Sequence, residues 1–128
     1  MHKRQQSGFS LIELMIVVLV VAILTAIAVP SYRQYLIRTH RSAAQSQMME
    51  IANRQQQFLL ANRRYASTLA ELNYTLPSGV SERYGCTLNV PSPAQFTLTC
   101  TPTGTQAGDC NLTLNHAGAK TPADKWKG

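Results

Sequence analysis

Acidic residues are scarce in this chain of 128 residues: six Asp and Glu stand against twelve Lys and Arg, a formal charge of +6. The six acids are spread along the sequence, so no pair of carboxylates is placed for acid–base work. There is no Ser-His-Asp candidate set and no cysteine with a neighbouring histidine, and the chain does not read as an enzyme. A Gly-rich phosphate loop is missing too, which removes the expectation of a nucleotide site. His2, His40 and His116 are scattered and no Cys-x-x-Cys pair occurs, so neither a metal nor another cofactor is expected. Asp109 and Asp124 stand isolated, which argues against a calcium-binding acidic cluster.

What the chain does have is concentrated at its start. An apolar run extends from Phe9 to Val29 and stops at Pro30. Its 21 residues make a helix of about 31 Å at about 1.5 Å per residue, enough to cross a bilayer. Glu13 lies inside this run, where a charge costs about 2.5–3.5 kcal/mol or more, so it needs a partner or a job. A secretory signal peptide cleaved after Ala28 leaves that acid unexplained within the apolar region. In a plain membrane anchor, Glu13 merely snorkels to the head groups. Lys3 and Arg4 flank one end while Arg33, Arg38 and Arg41 follow the other, so charge alone leaves orientation open. Beyond the leader the charge is still positive, which favours anionic partners such as lipid head groups or nucleic acid.

From Ser31 to about Ala61 the pattern is again helical. Tyr32, Leu36, Ala43, Met48, Ile51, Gln55 and Leu59 form one stripe to pack on a sheet, with a polar Gln55 in it. Asn62-Arg63-Arg64 reads as the helix exit. Thr68-x-x-Glu71 has capping-box spacing within a short turn at 67–72, and Pro77-Ser78-Gly79 reads as a turn. Thr-rich strands are expected near 84–90, 96–101 and 111–115, followed by loop from Ala117 to Gly128 with Trp126 as an anchor. The fold class is therefore α+β, a long helix on a small antiparallel sheet. Three cysteines in the C-terminal third, behind an apolar leader, point to an oxidising location. Two pairings are open. With Pro91–Gln95 as the hairpin loop, Val90 faces Phe96 and Cys86 falls opposite Cys100, within reach of a bridge. The rival is Cys100–Cys110.

The block Gly8-Phe9-Ser10-Leu11-Ile12-Glu13-Leu14 resembles the class III signal of type IV pilins and their pseudopilin relatives. That resemblance implies a pilin fold with a kink near Pro30, divided into a leader 1–8, a transmembrane or filament-core helix 9–30 and a head 31–128. It implies cleavage by a prepilin peptidase between Gly8 and Phe9, with N-methylation of Phe9. Glu13 then pairs with the N-terminal amine of a neighbouring subunit, and Pro30 marks where helical order can be lost on assembly. Arg54-Gln55-Gln56-Gln57-Phe58, Tyr65-Ala66-Ser67-Thr68-Leu69, Phe96-Thr97-Leu98-Thr99 and Leu112-Thr113-Leu114-Asn115 are similar to minor pilins, a subgroup that includes a DNA-uptake receptor. Some members pair a cysteine before the Leu-Thr-Leu-Asn strand with a late cysteine beside a Trp. Here Cys110 and Trp126 are present and the late cysteine is not.

The implied function is a structural subunit of a type IV pilus serving adhesion, twitching motility or DNA uptake. Its implied partners are other pilin subunits, the prepilin peptidase and the inner-membrane assembly platform. It is held in the inner membrane with a cytoplasmic N-terminus before assembly, and sits in a surface pilus afterwards. Two alternatives stand beside this: a DNA-binding receptor pilin, with Arg63, Arg64, Arg83, Lys120, Lys125 and Lys127 as candidate contacts, and a type II secretion pseudopilin.

Overall fold

A computed structural model describes residues 8–126. One helix, α1 (Leu11–Asn62), carries most of the first half and includes Pro30, which withholds one helical hydrogen bond. Its start is set by Ser10 and Glu13. The Glu13 N–H donates to Ser10 Oγ and the Ser10 N–H donates to the Glu13 carboxylate, each at 3.3 Å. This is a reciprocal capping box. Its end is set by Arg63, which takes a left-handed conformation (φ 59°) while its N–H donates to the Leu59 carbonyl at 2.7 Å. The exit falls where the Asn62-Arg63-Arg64 pattern places it, with Arg63 rather than Asn62 in the left-handed position.

The chain divides into two compact units between Leu36 and Ile37. In the first, every described side chain from Phe9 to Val29 is exposed. Tyr32 is exposed as well, so it does not belong to a buried stripe in this unit.

In the second unit α1 buries Ala44, Met48, Ile51 and Gln55, spaced by four, three and four residues along one helical face. Ala44 thus takes the place assigned to Ala43, which is exposed. Ala44, Met48 and Ile51 join Tyr84, Phe96, Leu98, Cys100, Leu112 and Leu114 in a single core. The polar member of the stripe is explained by its bonds. Gln55 Nε2 donates to the Ala66 carbonyl and the Ala66 N–H donates to Gln55 Oε1, both at 2.8 Å. A buried amide with both its nitrogen and its oxygen bonded fastens the chain after α1 onto the helix.

The connecting region holds a 3-10 turn (Ala70–Leu72) and a one-turn helix α2 (Ser78–Ser81). The Glu71 N–H donates to Thr68 Oγ1 at 3.3 Å as the capping spacing predicts, but the Glu71 carboxylate reaches back to Ser67. Pro77-Ser78-Gly79 leads into α2 rather than forming an isolated turn.

The sheet is antiparallel, with strands β1 (Tyr84–Ser92), β2 (Gln95–Pro102), β3 (Leu112–Asn115) and β4 (Lys120–Thr121) in sequence order. Cys86 faces Cys100 and the two are bridged, leaving Cys110 as the free thiol. The Cys100–Cys110 alternative does not form. The hairpin loop is shorter than Pro91–Gln95: Ser92 pairs with Gln95, and an irregularity between Asn89 and Ser92 replaces the expected Val90–Phe96 pair. A strand-borne Pro91 cannot donate to the ladder, which fits a bulge there.

The segment after Ala117 is not loop throughout. Asn115 Oδ1 accepts from the Ala117 and Ala119 N–H groups, Gly118 takes φ 81°, and the chain returns as β4. A 3-10 turn (Ala123–Trp126) follows, and Trp126 packs on the core while its indole N–H donates to the Thr121 carbonyl.

Candidate assembly and nucleic-acid surfaces

The first candidate surface lies in the N-terminal unit. Gly8 and Phe9 precede the capped start of α1 and are exposed. Eighteen or more residues there are apolar enough to cross a membrane, and none of the most apolar stretch is buried. A helix that is apolar all round must bury itself in lipid or among other helices. Thr25 is no obstacle, because its hydroxyl donates to the Val21 carbonyl at 2.7 Å. Glu13 is the single acid of this surface, and its carboxylate already accepts the Ser10 N–H. One acceptor site used in this way leaves the carboxylate able to receive an external cation as well.

The second candidate surface is the set of head cations, which the structure places at the exit of α1, just before β1, on β4 and in the last 3-10 turn. Arg63 and Arg64 sit at the exit of α1. Arg63 is exposed and has no side-chain ion pair among the described residues. Arg64 is engaged: it donates to Glu71 Oε2 at 3.0 Å and lies over the Phe58 ring at 5.1 Å. The Arg64 guanidinium and the Ser67 hydroxyl hold the Glu71 carboxyl below its ordinary range. Arg83, at the head of β1, donates to the Gly79 carbonyl at 3.2 Å and lies 4.0 Å from Glu82, while its Nε has no partner. Burial first, and then the Arg83 charge, push His40 below its ordinary value. Lys120 and Lys125 flank Trp126. Lys120 Nζ lies 5.5 Å from the indole centre, and the Lys125 carbonyl accepts from Gln45 Nε2 at 2.7 Å. Lys127 lies outside the described residues. Beside the helix exit an open groove of about 460 Å³ is lined by Glu50, Arg54, Phe58, Asn62, Glu71 and Asn73.

A third cluster has no forerunner in the sequence pattern. Asp109, which reads as isolated, is paired: Arg41 donates to both of its oxygens at 2.7 Å from Nε and Nη2. The Tyr84 hydroxyl adds a contact at 3.3 Å, and buried Gln106 donates to the Tyr84 oxygen at 3.0 Å and to the Ile37 carbonyl at 2.9 Å. Burial works to raise the Asp109 carboxyl, but the Arg41 guanidinium, together with the Cys110 N–H and the Tyr84 hydroxyl, outweighs it and holds the group below its ordinary value. Burial pushes the Tyr84 hydroxyl up to about 12. No local signal could reveal this pair, since Arg41 and Asp109 are 68 residues apart. The cluster ties α1 to the segment between β2 and β3.

Comparison with known proteins gives the surfaces a context. Residues 30–114 match the family model described as type IV minor pilin ComP, DNA uptake sequence receptor. Residues 3–29 match the prokaryotic N-terminal methylation motif. The chain is similar to the type IV major pilin protein PilA of Myxococcus xanthus (strain DK1622), 36% identical over 78 residues, covering 61% of this chain and 34% of that protein. It is 34% identical over 79 residues to a fimbrial protein of Pseudomonas aeruginosa, covering 62% of this chain and 51% of that one. It is also 34% identical over 68 residues to the type II secretion system core protein G of Aeromonas hydrophila, covering 53% of this chain and 48% of that protein. The chain thus spans between about a third and a half of the length of these relatives.

Proposed function

This chain belongs to the type IV minor pilin family, and from that premise we propose that it is a pilus subunit made as a membrane-held precursor. The observation that carries the proposal is the exposed apolar helix whose capped start follows Gly8-Phe9 within the matched methylation motif. The prepilin peptidase cuts between Gly8 and Phe9, and Phe9 becomes an N-methylated terminus. The helix anchors the precursor in the inner membrane until the assembly platform draws it into the filament. There the apolar side chains of neighbouring helices cover one another, and the Phe9 amine of one subunit meets Glu13 of the next. Opposite charges in a helix bundle of low dielectric each offset the other's desolvation. The pair therefore fixes axial register, and Pro30 supplies the point where the helix gives way. Co-expression with a prepilin peptidase tests the cleavage step. The membrane-borne chain should lose its first eight residues, and Gly8→Val should leave it full length. Cleavage of the Gly8→Val chain at the same bond removes this reading.

DNA reception is the finer reading that the family model favours. Its contacts are the candidate cations Arg63, Arg64, Arg83, Lys120, Lys125 and Lys127, of which Arg63, Arg64 and Lys120 are exposed. Binding through phosphates falls steeply with salt. Titrating the micelle-held chain with duplex DNA at two salt concentrations should give affinity at low salt that drops at high salt, and reversing Arg63 to Glu should weaken it. No binding at low salt excludes DNA reception while leaving the pilus reading intact. A secretion pseudopilin shares the N-terminal motif, and the match of residues 30–114 to a pilin model favours the pilus.

A further inference from the structure

The side of the sheet turned away from α1 carries an ordered array of hydroxyls and amides. Thr87 faces Thr99, Thr99 faces Thr113 and Thr113 faces Thr121, so four threonines stand in one row across all four strands. In the next row Asn89 faces Thr97 and Thr97 faces Asn115. Their neighbours along the strands, Leu88, Leu98, Cys100, Leu112 and Leu114, point into the core. Strand geometry sets the backbone positions that carry these side chains at about 4.8 Å apart along a row and about 6.8 Å between rows.

The chemistry of this array selects its partner. Neither row contains a charged side chain, so it does not suit phosphate-rich nucleic acid, which is held by Lys and Arg. Neither row contains a large apolar or aromatic side chain, so the anchors of a protein interface are missing. What remains is dense, uncharged hydrogen-bonding capacity on a surface that is already stiff. Threonine has restricted χ1 freedom, so little rotamer entropy is lost when a ligand settles on it. The Thr113 and Thr121 hydroxyls bond to each other, yet each keeps further acceptor capacity. The Asn115 amide oxygen is committed to Ala117 and Ala119, which leaves its NH2 group as a donor.

We propose that this face docks a neutral polysaccharide, whose repeated hydroxyls match an uncharged array of donors and acceptors. The proposal is independent of the DNA-reception reading, which rests on cations outside the two rows. The full chain, held in micelles of a detergent without sugar head groups, is mixed with chitin or microcrystalline cellulose particles and the retained fraction is measured. Retention on at least one particle should be insensitive to salt. Thr99→Lys and Thr99→Glu should each lower it about fivefold or more, the scale of one lost neutral hydrogen bond. Thr87→Lys, at an exposed position, should do the same and covers the case in which a Thr99 variant misfolds. Four results overturn the proposal: no retention on either particle; variants retained as well as wild type; Lys raising retention while Glu lowers it, the mark of an anionic ligand; or a wild-type dimer that Thr99→Lys dissociates, the mark of a second copy.

Discussion

Replacing Asp109 by Ala should be among the most damaging single changes in the head. Arg41 loses two 2.7 Å bonds, and both side chains are well shielded, with 14% and 5% exposure. Removing one partner of a shielded, bidentate pair costs about 3–5 kcal/mol, chiefly because the remaining charge is stranded. Tyr84 and Gln106 lose a shared acceptor as well. The pH dependence has a definite sign. Asp109 is held below its ordinary value in the folded state. The stabilisation is therefore full above the usual carboxylate range, near pH 4, and is lost as pH falls through the lower, folded value. Urea unfolding of the micelle-held chain, followed by fluorescence of the single Trp, gives the penalty at pH 7 and in acid. The penalty should be about 3–5 kcal/mol at pH 7 and should shrink in acid, where wild type loses the same interaction. A penalty under about 1 kcal/mol at pH 7 would mean that the pair is worth no more than an exposed ion pair and does not hold the head together.

Three further perturbations probe other parts of the molecule. Cys86→Ser opens the bridge across a sequence separation of 14 and should cost about 3 kcal/mol in the same unfolding measurement. Gln55→Ala strands the buried N–H and carbonyl of Ala66 and should cost about 2–4 kcal/mol; hydrogen exchange at Ala66 should accelerate in step. Glu13→Val and Glu13→Gln divide the two roles of that acid. Gln at this position keeps a capping box but carries no charge. Both variants should insert into the membrane and both should be depleted from sheared filaments, whereas wild-type incorporation of Glu13→Gln assigns Glu13 to helix capping alone.

Features that depend on local spacing were legible in the sequence. The Cys86–Cys100 bridge follows from counting back along a hairpin, even though its turn is tighter than Pro91–Gln95 and a bulge absorbs the difference. The end of α1 at Asn62 and the bond from Glu71 to Thr68 were equally local. Between Ala43 and Gln55 the buried stripe was readable to within one residue, Ala44 for Ala43, because adjacent alanines have no side-chain difference to separate them; at its start Tyr32 is exposed. Gln55 stood out as a polar intruder, but its partner is the backbone of Ala66, and backbone partners leave no mark in a sequence. Ser10-x-x-Glu13 is a visible capping box hidden behind the more arresting problem of a charge in an apolar run. The Arg41–Asp109 pair and the two-residue β4 were out of reach for another reason. Each depends on segments that meet only after the sheet has formed, and Lys120–Thr121 is too short to show alternation.

In a processed filament subunit the apolar helix should be retained rather than discarded as a secretory signal. Intact-mass spectrometry of the protein recovered from sheared surface filaments tests it most directly. One species should appear, beginning at Phe9, heavier by one N-methylation at its amine and lighter by the two hydrogens of the Cys86–Cys100 bridge. A mature chain beginning at Val29, or a full-length chain still carrying residues 1–8, contradicts it.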